Sequence, residues 1–171
     1  MIDCRNLDVT RLAARLYQGS YPRTPIRPCG FQVLVLCAKE LQQRAPEAGL
    51  RVLHCPLDDR ADVSFSRSEW LRANRVAEEV VDLLGRGARI LTTCAEGRNR
   101  SGLVNGLVLY RISALNGAEC VEHIRQRRAG ALTNEQFVEA LCRLPYKLAH
   151  QAPHRERRAL HRVRSIAQYL D

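Results

Sequence analysis

Eight consecutive residues combine a nucleophile, a tight turn and a fork-shaped cation. They read Cys94-Ala95-Glu96-Gly97-Arg98-Asn99-Arg100-Ser101, after a predicted strand over 88–93 and before a predicted helix that begins near Ser101. In such a turn the backbone N–H groups of residues 95–100 can form one concave nest at the positive end of the helix dipole. Gly97 lets the backbone bend, and Arg100 can bind two oxygens of a tetrahedral anion. The spacing therefore predicts a phosphate site.

Cys94 lies at the base of this predicted nest. The surroundings that favour a bound anion also favour a thiolate over a thiol. A thiolate below a phosphate is placed for in-line attack on phosphorus, which gives a phospho-cysteine that water must then hydrolyse. Ser101 can hydrogen-bond the sulfur and help it to leave in the second step. Arg98 adds a second cation, which is either solvated or binds further phosphate groups.

This reaction also needs a proton donor for the leaving oxygen. Asp58 and Asp59 follow a predicted strand over 51–55 and precede a polar stretch that is typical of a loop. The residue pattern leaves both open as the general acid. Asp62 and Glu96 are less favoured candidates.

Several segments resemble a known superfamily. The pattern Cys94-x5-Arg100-Ser101 resembles the signature loop of the cysteine-dependent protein tyrosine phosphatases, and the short chain resembles their dual-specificity branch. Residues 17–20 (YQGS) and 54–59 (HCPLDD) resemble the opening strand and the general-acid stretch of these enzymes. Residues 124–131 (IRQRRAGA) resemble a helix and turn of the phosphatases of regenerating liver. The likeness covers about residues 13–146.

The resemblance implies a function and assigns the catalytic roles. It implies hydrolysis of phosphotyrosine, and of phosphoserine and phosphothreonine, in phosphorylated proteins or peptides through a phospho-cysteine, with no cofactor. It places Cys94, Arg100 and Ser101 in catalysis and favours Asp59 over Asp58 as the general acid.

The resemblance also bears on residues around the loop. It suggests Cys37 as a redox partner that forms a reversible disulfide with Cys94. It suggests that Asn134 or Gln136 lies near the attacking water. Thr93 stands where the family usually has His, so its hydroxyl would have to replace part of the support that His gives to the loop.

Three alternatives stay open on the sequence. Asn99 before Arg100 also occurs in RNA 5′-phosphatases of the superfamily, and a net charge of +9 suits nucleic acid. The three Phe, one Trp and five Tyr offer few rings for stacking bases, so nucleic acid is the less favoured partner. Arg98 would suit a phosphoinositide phosphatase. A non-catalytic module that docks phosphorylated partners is disfavoured, because such modules normally lose the Cys, Arg or Asp that Cys94, Arg100 and Asp59 supply here.

The elements that must position these residues alternate between strands and helices. Strands are predicted at 15–18, 31–37, 51–55 and 88–93, and helices at 39–44, 66–84, from 101 to the Asn116-Gly117 break, 118–128 and 134–144. Ser66 with Glu69 predicts a capping box, and Thr133 or Asn134 predicts a cap for the helix over 134–144. This order predicts an α/β fold with a central, mostly parallel sheet flanked by helices.

The expected organisation is one catalytic domain over 1–150 followed by a basic helix within 151–171. An apolar stripe on that helix favours packing on the domain, and its arginines would also suit an acidic partner or a membrane surface.

Composition limits the setting of the protein. A chain of 171 residues suits one domain, and 25 of its 27 basic residues are Arg, which reflects either a phosphate-binding surface or a GC-rich genome. Seven cysteines without a C-x-x-C pair predict neither a disulfide framework nor a zinc ribbon, and the five His show no ligand spacing, so no metal is predicted. No apolar run reaches the ~20 residues of a membrane span and no signal peptide is recognisable, so we expect a reducing cytoplasm.

Overall fold

The computed structural model describes residues 6–43, 47–60 and 62–145. The predicted basic helix within 151–171 lies outside these ranges, and its packing stays a prediction.

A five-stranded sheet forms the centre of the fold. Its strands are β1 (Val9–Ala13), β2 (Leu16–Ser20), β3 (Val33–Ala38), β4 (Arg51–Leu57) and β5 (Ile90–Cys94), in the spatial order β1-β2-β5-β3-β4. Strand β1 pairs antiparallel with β2, and all other pairs are parallel. The α/β fold with a mostly parallel sheet is therefore confirmed.

Within the described residues four α-helices flank this sheet: α1 (Arg67–Gly85), α2 (Arg100–Ile112), α3 (Gly117–Arg127) and α4 (Glu135–Cys142). Helix α1 begins at the predicted capping box of Ser66 and Glu69. Asn116 caps α3 in a second box, and Asn134 caps α4. These caps bond free N–H groups of the first helical turn, which fixes where each helix starts.

The apolar side chains divide between the two faces of the sheet. All four helices contribute to one large cluster, which β3 enters through Val33, Val35 and Cys37. A smaller cluster on the opposite face contains Leu34, Leu36 and residues of the segment before β3. Every residue of β3 is buried, as a strand covered on both faces requires. Helix α2 buries eleven of its thirteen residues and runs through the centre of the helical layer.

Three details differ from the sequence predictions. Strand β1 was not predicted, and the helix predicted over 39–44 is a 3-10 turn at Lys39–Leu41. Cys29 is disulfide-bonded, which the cysteine spacing did not indicate, whereas Cys37, Cys55, Cys94, Cys120 and Cys142 are free thiols.

No helix within the described ranges combines the length and the apolar character needed to cross a bilayer.

Candidate active site

The segment 95–99 joins the carboxyl end of β5 to the first turn of α2. We call residues 94–101 the nucleophile loop. The backbone N–H groups of residues 95–99 donate no hydrogen bond to the rest of the described chain. Free donors in a tight turn before a helix N-terminus bind anions, because the N–H groups and the helix dipole both favour negative charge. The predicted phosphate-binding residues therefore lie together in one loop.

Cys94 and Ser101 face each other across this loop. The Cys94 side chain is buried, and its Sγ atom lies 3.3 Å from Oγ of Ser101. A hydroxyl at this distance can donate to a thiolate. The arrangement matches the expected roles of a nucleophile and of a group that stabilises the departing sulfur.

Arg100 extends from the first turn of α2, and its side chain is only 10% exposed. One terminal nitrogen donates to Oε2 of Glu40 across 2.7 Å, while the Nε–H group has no hydrogen-bond partner among the described residues. Burial alone would raise the pKa of Glu40, but the hydrogen bond and charge of Arg100 outweigh it and hold that pKa below its usual value. The carboxylate of Glu40 thus orients the guanidinium and leaves Nε free for an anion. Glu40 was not predicted, because a lone Glu in a short turn carries no motif.

Asp59 is a second acid near this guanidinium, on the side of Nε. Its Oδ2 atom lies 3.9 Å from Arg100 Nε, and its Oδ1 atom accepts a 2.8 Å hydrogen bond from Nδ2 of Asn134. Asp58 instead accepts from the backbone N–H of Arg60, as a turn residue does. The geometry therefore supports the preference for Asp59.

The two less favoured acids are engaged elsewhere. Asp62 forms an exposed ion pair with Arg60, and Glu96 lies exposed 3.5 Å from Arg98. Arg98 is itself 55% exposed. Both carboxylates are therefore exposed and paired with arginines, whereas Cys94 is buried.

A buried network of side-chain amides holds the nucleophile loop on the side that faces β2. Gln18 in β2 is fully buried and donates from Nε2 to the carbonyls of Gly97 (3.0 Å) and Arg98 (3.2 Å), while its Oε1 accepts from Asn105 (3.1 Å). Gly97 has φ +64°, and a Cβ there would lie 2.1 Å from the backbone of Gly19. Only glycine therefore allows the loop to lie directly on β2. Gln18 belongs to a segment that the resemblance includes, but its role as an anchor was not predicted.

Arg128 holds the same loop from its outer side. Its guanidinium donates to the carbonyls of Gly97 and Glu96 and forms two hydrogen bonds with the carboxylate of Asp8, at 3.0 and 2.7 Å. The Arg128 hydrogen bond holds the pKa of Asp8 below its usual value. Asp8 also accepts from the backbone N–H of Ser20. The pair ties the loop to the β1–β2 hairpin, and no sequence pattern predicted this contact.

Asn99 attaches the loop to the segment before α4. Its Oδ1 atom accepts from the backbone N–H groups of Thr133 (2.7 Å) and Asn134 (3.2 Å). The side chain thus points away from the anion nest, so Asn99 contributes to that nest through its backbone alone.

The side chains of Thr93 and Gln136 form hydrogen bonds outside the nucleophile loop. The Thr93 hydroxyl donates to the carbonyl of Val35 across 3.1 Å, so it supports the sheet and not the loop. Gln136 accepts from the N–H of Phe65 and donates to the carbonyl of Val63. It therefore holds the segment that follows the acid, and Asn134 is the polar residue of this pair that faces Asp59.

Cys37 lies on the strand next to Cys94. Leu36 of β3 pairs with Thr93 of β5 in the parallel register, so the two cysteines follow side by side, and both belong to the same buried cluster. Burial raises the pKa of the Cys37 thiol well above its usual value, and the neighbouring thiol of Cys55 raises it further.

In the described part of the chain no group of three or more His, Cys, Asp or Glu could hold a metal ion.

Solved dual specificity phosphatases share this fold. A mouse protein assigned to that class, in complex with zinc tungstate, is 19% identical, with coverage of 82% of this chain and 88% of its own and a TM-score of 0.69. Human DUSP28 is 22% identical, with 78% and 90% coverage and a TM-score of 0.66. A human tyrosine phosphatase-like serine/threonine/tyrosine-interacting protein is 15% identical, with 78% and 92% coverage and a TM-score of 0.65.

Neither a family model nor a curated protein sequence matches the chain. The chain has the dual specificity phosphatase fold, as its sequence resemblance implied.

Proposed function

We propose that this protein is a cysteine-dependent phosphatase that hydrolyses phosphotyrosine, and phosphoserine and phosphothreonine, in protein substrates. One observation carries the proposal: within the described chain, the five backbone N–H groups of residues 95–99 and the Nε–H of Arg100 have no hydrogen-bond partner, and all of them belong to the loop that begins at Cys94. Donors without partners at a buried helix N-terminus are suited to a phosphate dianion.

The proposed reaction has two steps. In the first, the Cys94 thiolate attacks phosphorus, the P–O bond to the substrate breaks, and Asp59 protonates the leaving oxygen. The three remaining phosphoryl oxygens stay bound to the loop N–H groups and Arg100, which stabilise their developing charge. In the second step Asp59 takes a proton from water, the water oxygen attacks phosphorus, and the P–S bond breaks. Ser101 then stabilises the Cys94 thiolate, and inorganic phosphate leaves.

The comparisons support this proposal at the level of the fold. The mouse structure holds tungstate, a tetrahedral oxyanion like phosphate. The human interacting protein is called phosphatase-like, so a non-catalytic docking module is the alternative to an enzyme. Cys94, Arg100 and Asp59 are all present here, so we propose an enzyme. Phosphorylated proteins as partners and a cytoplasmic location belong to the same proposal.

RNA and phosphoinositides are the alternative substrates. Asn99 bonds to residues 133 and 134, so its occurrence before the arginine does not point to an RNA contact. The Arg98 side chain is exposed, and among the described residues its one ion-pair partner is Glu96. Neither observation favours these substrates over phosphoproteins.

The test compares the wild-type protein with Cys94→Ser and with Cys142→Ser, an exposed cysteine outside the loop. Each is assayed on an aryl phosphate, on matched phosphotyrosine and phosphothreonine peptides, and on 5′-triphosphate RNA. We expect activity on the aryl phosphate and the peptides in the wild type and Cys142→Ser, and none in Cys94→Ser. Acid quenching during turnover should trap phosphate on Cys94. Equal hydrolysis by wild type and Cys94→Ser would refute the mechanism, and a kcat/KM for RNA orders of magnitude above that for peptides would replace the substrate class.

A further inference from the structure

A groove outside the active site runs between strand β4 and helix α1. It encloses about 360 Å³, and its lining includes Arg51 and His54 on β4 and Arg72, Arg75, Val76 and Glu79 on α1. We call it the β4–α1 groove. None of its lining residues takes part in the proposed reaction.

The groove is basic. It contains three guanidinium groups and one carboxylate, so its net charge is +2 with His54 neutral. Arg51 pairs with Glu79, and Arg72 donates to the carbonyl of Pro56 across 2.8 Å. Arg75 is exposed and makes no hydrogen bond or ion pair with any described residue. The groove therefore has more positive charge than its own carboxylate can neutralise.

Strand β4 lies at the edge of the sheet. Its one strand partner in the described chain is β3, so the backbone groups of its other edge have no strand partner there, and the carbonyl of Pro56 accepts instead from Arg72. Unpaired strand edges bind extended peptides, which bond to the edge and place alternate side chains in neighbouring pockets. Around this strand edge the groove is lined by guanidinium groups and by the apolar side chains of Leu53 and Val76, which we call the apolar floor.

We propose that the β4–α1 groove binds an extended acidic segment of the phosphoprotein substrate, at a distance from the phosphorylated residue. This inference rests on the proposed function and names a substrate feature for it. The groove is linked to the active site, because β4 leads directly into Asp58 and Asp59. Glu69 of α1 accepts from the backbone N–H of Asp58, and Arg72, three residues further along the same helix, lines the groove.

The lining favours a peptide over a nucleic acid. Single-stranded nucleic acids bind through aromatic side chains that stack on bases, and the groove lining contains no Phe, Tyr or Trp. Alternating acidic and apolar side chains match both the arginines and the apolar floor. The seven residues of β4 span roughly 20 Å, so about six extended residues should separate the acidic segment from the phosphorylated residue.

The experiment uses two phosphotyrosine peptides with a six-residue Gly/Ser spacer. One carries the block Glu-Val-Asp-Val-Glu and the other carries Gln-Val-Asn-Val-Gln. Each peptide is made in two versions, one with its block before the phosphotyrosine and one with its block after it. In at least one order we expect a kcat/KM about threefold to tenfold higher for the acidic peptide, mainly through KM, as for a few exposed ion pairs. Raising the salt concentration should remove most of the difference.

Two groove variants should move this preference in opposite directions. Arg75→Glu should abolish it, whereas Glu79→Gln, which removes the competing carboxylate, should increase it. Arg143→Glu is the matched control, because Arg143 is 75% exposed on another helix and also has a Glu four residues away. Hydrolysis of a small aryl phosphate should stay unchanged in all three. Equal kcat/KM for the two peptides in both orders, or equal losses with Arg75→Glu and Arg143→Glu, would overturn the inference.

A binding measurement separates this inference from the proposed function. The full chain with Cys94→Ser should bind a fluorescent, unphosphorylated acidic peptide, and Arg75→Glu should weaken that binding. If it does so while the wild-type protein cleaves no phosphopeptide, the proposed function fails and the groove remains. If single-stranded RNA displaces the peptide at lower concentration, and does so through Arg75, the groove is a nucleic-acid site and the inference is wrong.

Discussion

Asn134 donates from Nδ2 to Oδ1 of Asp59 across 2.8 Å, while its backbone N–H donates to Oδ1 of Asn99 across 3.2 Å. One residue thus contacts both the proposed general acid and the nucleophile loop. Because Asn99 directly precedes Arg100, the position of the acid is linked to that of the phosphate-binding guanidinium. We infer that Asn134 is a positioning residue for Asp59.

Asn134→Ser should lower kcat about tenfold with little change in KM, since a misplaced catalytic group slows the chemical step. Serine still caps α4, so the free energy of unfolding should change by no more than about 0.5 kcal/mol, but its side chain is too short to reach Asp59. Steady-state kinetics on a phosphopeptide together with urea unfolding checks both parts. An unchanged kcat would show that the Asn134–Asp59 contact has no catalytic role.

Asp59→Asn should reduce kcat on a phosphoserine peptide by about 100-fold, the lower end of the range for general acid catalysis. The loss should be smaller on an aryl phosphate, because its phenolate leaves without a proton. Asp58→Asn is the control: asparagine can still accept from the N–H of Arg60, so kcat should stay near that of the wild type. A larger loss with Asp58→Asn would reassign the acid.

The residues proposed to react could be predicted from the sequence because they lie close together along the chain. Cys94, Arg100 and Ser101 lie within eight residues, between a strand and a helix whose patterns are strong. The residues that hold the nucleophile loop in place could not be predicted, because they contact residues that are far away in the sequence. Gln18 bonds to Gly97 from 79 positions away, and Arg128 bonds to Asp8 from 120 positions away.

The strands and helices show the same contrast. The apolar runs of β3 and α2 predicted their burial. Strand β1 was missed because its short turn into β2 contains Arg15 at φ +63° and lacks the Gly or Asn that usually signals such a hairpin. In place of the helix predicted over 39–44, the structure has a 3-10 turn at Lys39–Leu41, and Gln42 after it donates to the carbonyls of Leu36 and Ala38.

Gln18→Met should destabilise the protein by about 2–3 kcal/mol, because two loop carbonyls and Asn105 lose a buried partner. The loop should also loosen, so kcat/KM should fall. Gln126→Met is the control, since Gln126 is exposed on α3 and should change stability by no more than about 0.5 kcal/mol. Urea unfolding of the two variants measures the difference. Equal stabilities would show that the amide network does not support the loop.

Asp8 predicts an acid-dependent loss of stability. Arg128 lowers the folded-state pKa of Asp8 below its ordinary value of 3.8, so the folded protein favours the carboxylate. The pair is therefore fully stabilising above about pH 3.8 and is lost as pH falls through the lowered pKa. Asp8→Asn should cost less than about 1 kcal/mol at pH 6, since the Asp8 side chain is 55% exposed. The free energies of unfolding of the two proteins should converge once the pH is below the lowered pKa of Asp8, and a gap that persists there would contradict the prediction.

Cys37 predicts reversible inactivation by peroxide. Hydrogen peroxide oxidises the Cys94 thiolate to a sulfenic acid, and the Cys37 sulfur then attacks the Cys94 sulfur, forming an S–S bond and releasing water. Because burial raises the pKa of Cys37, disulfide formation should accelerate as pH rises. A thiol reductant should restore the activity of the wild type and of Cys142→Ser, whereas Cys37→Ser should stay inactive after over-oxidation of Cys94. Peptide mapping that finds Cys94 in the wild type only as sulfinic acid would rule out this protection.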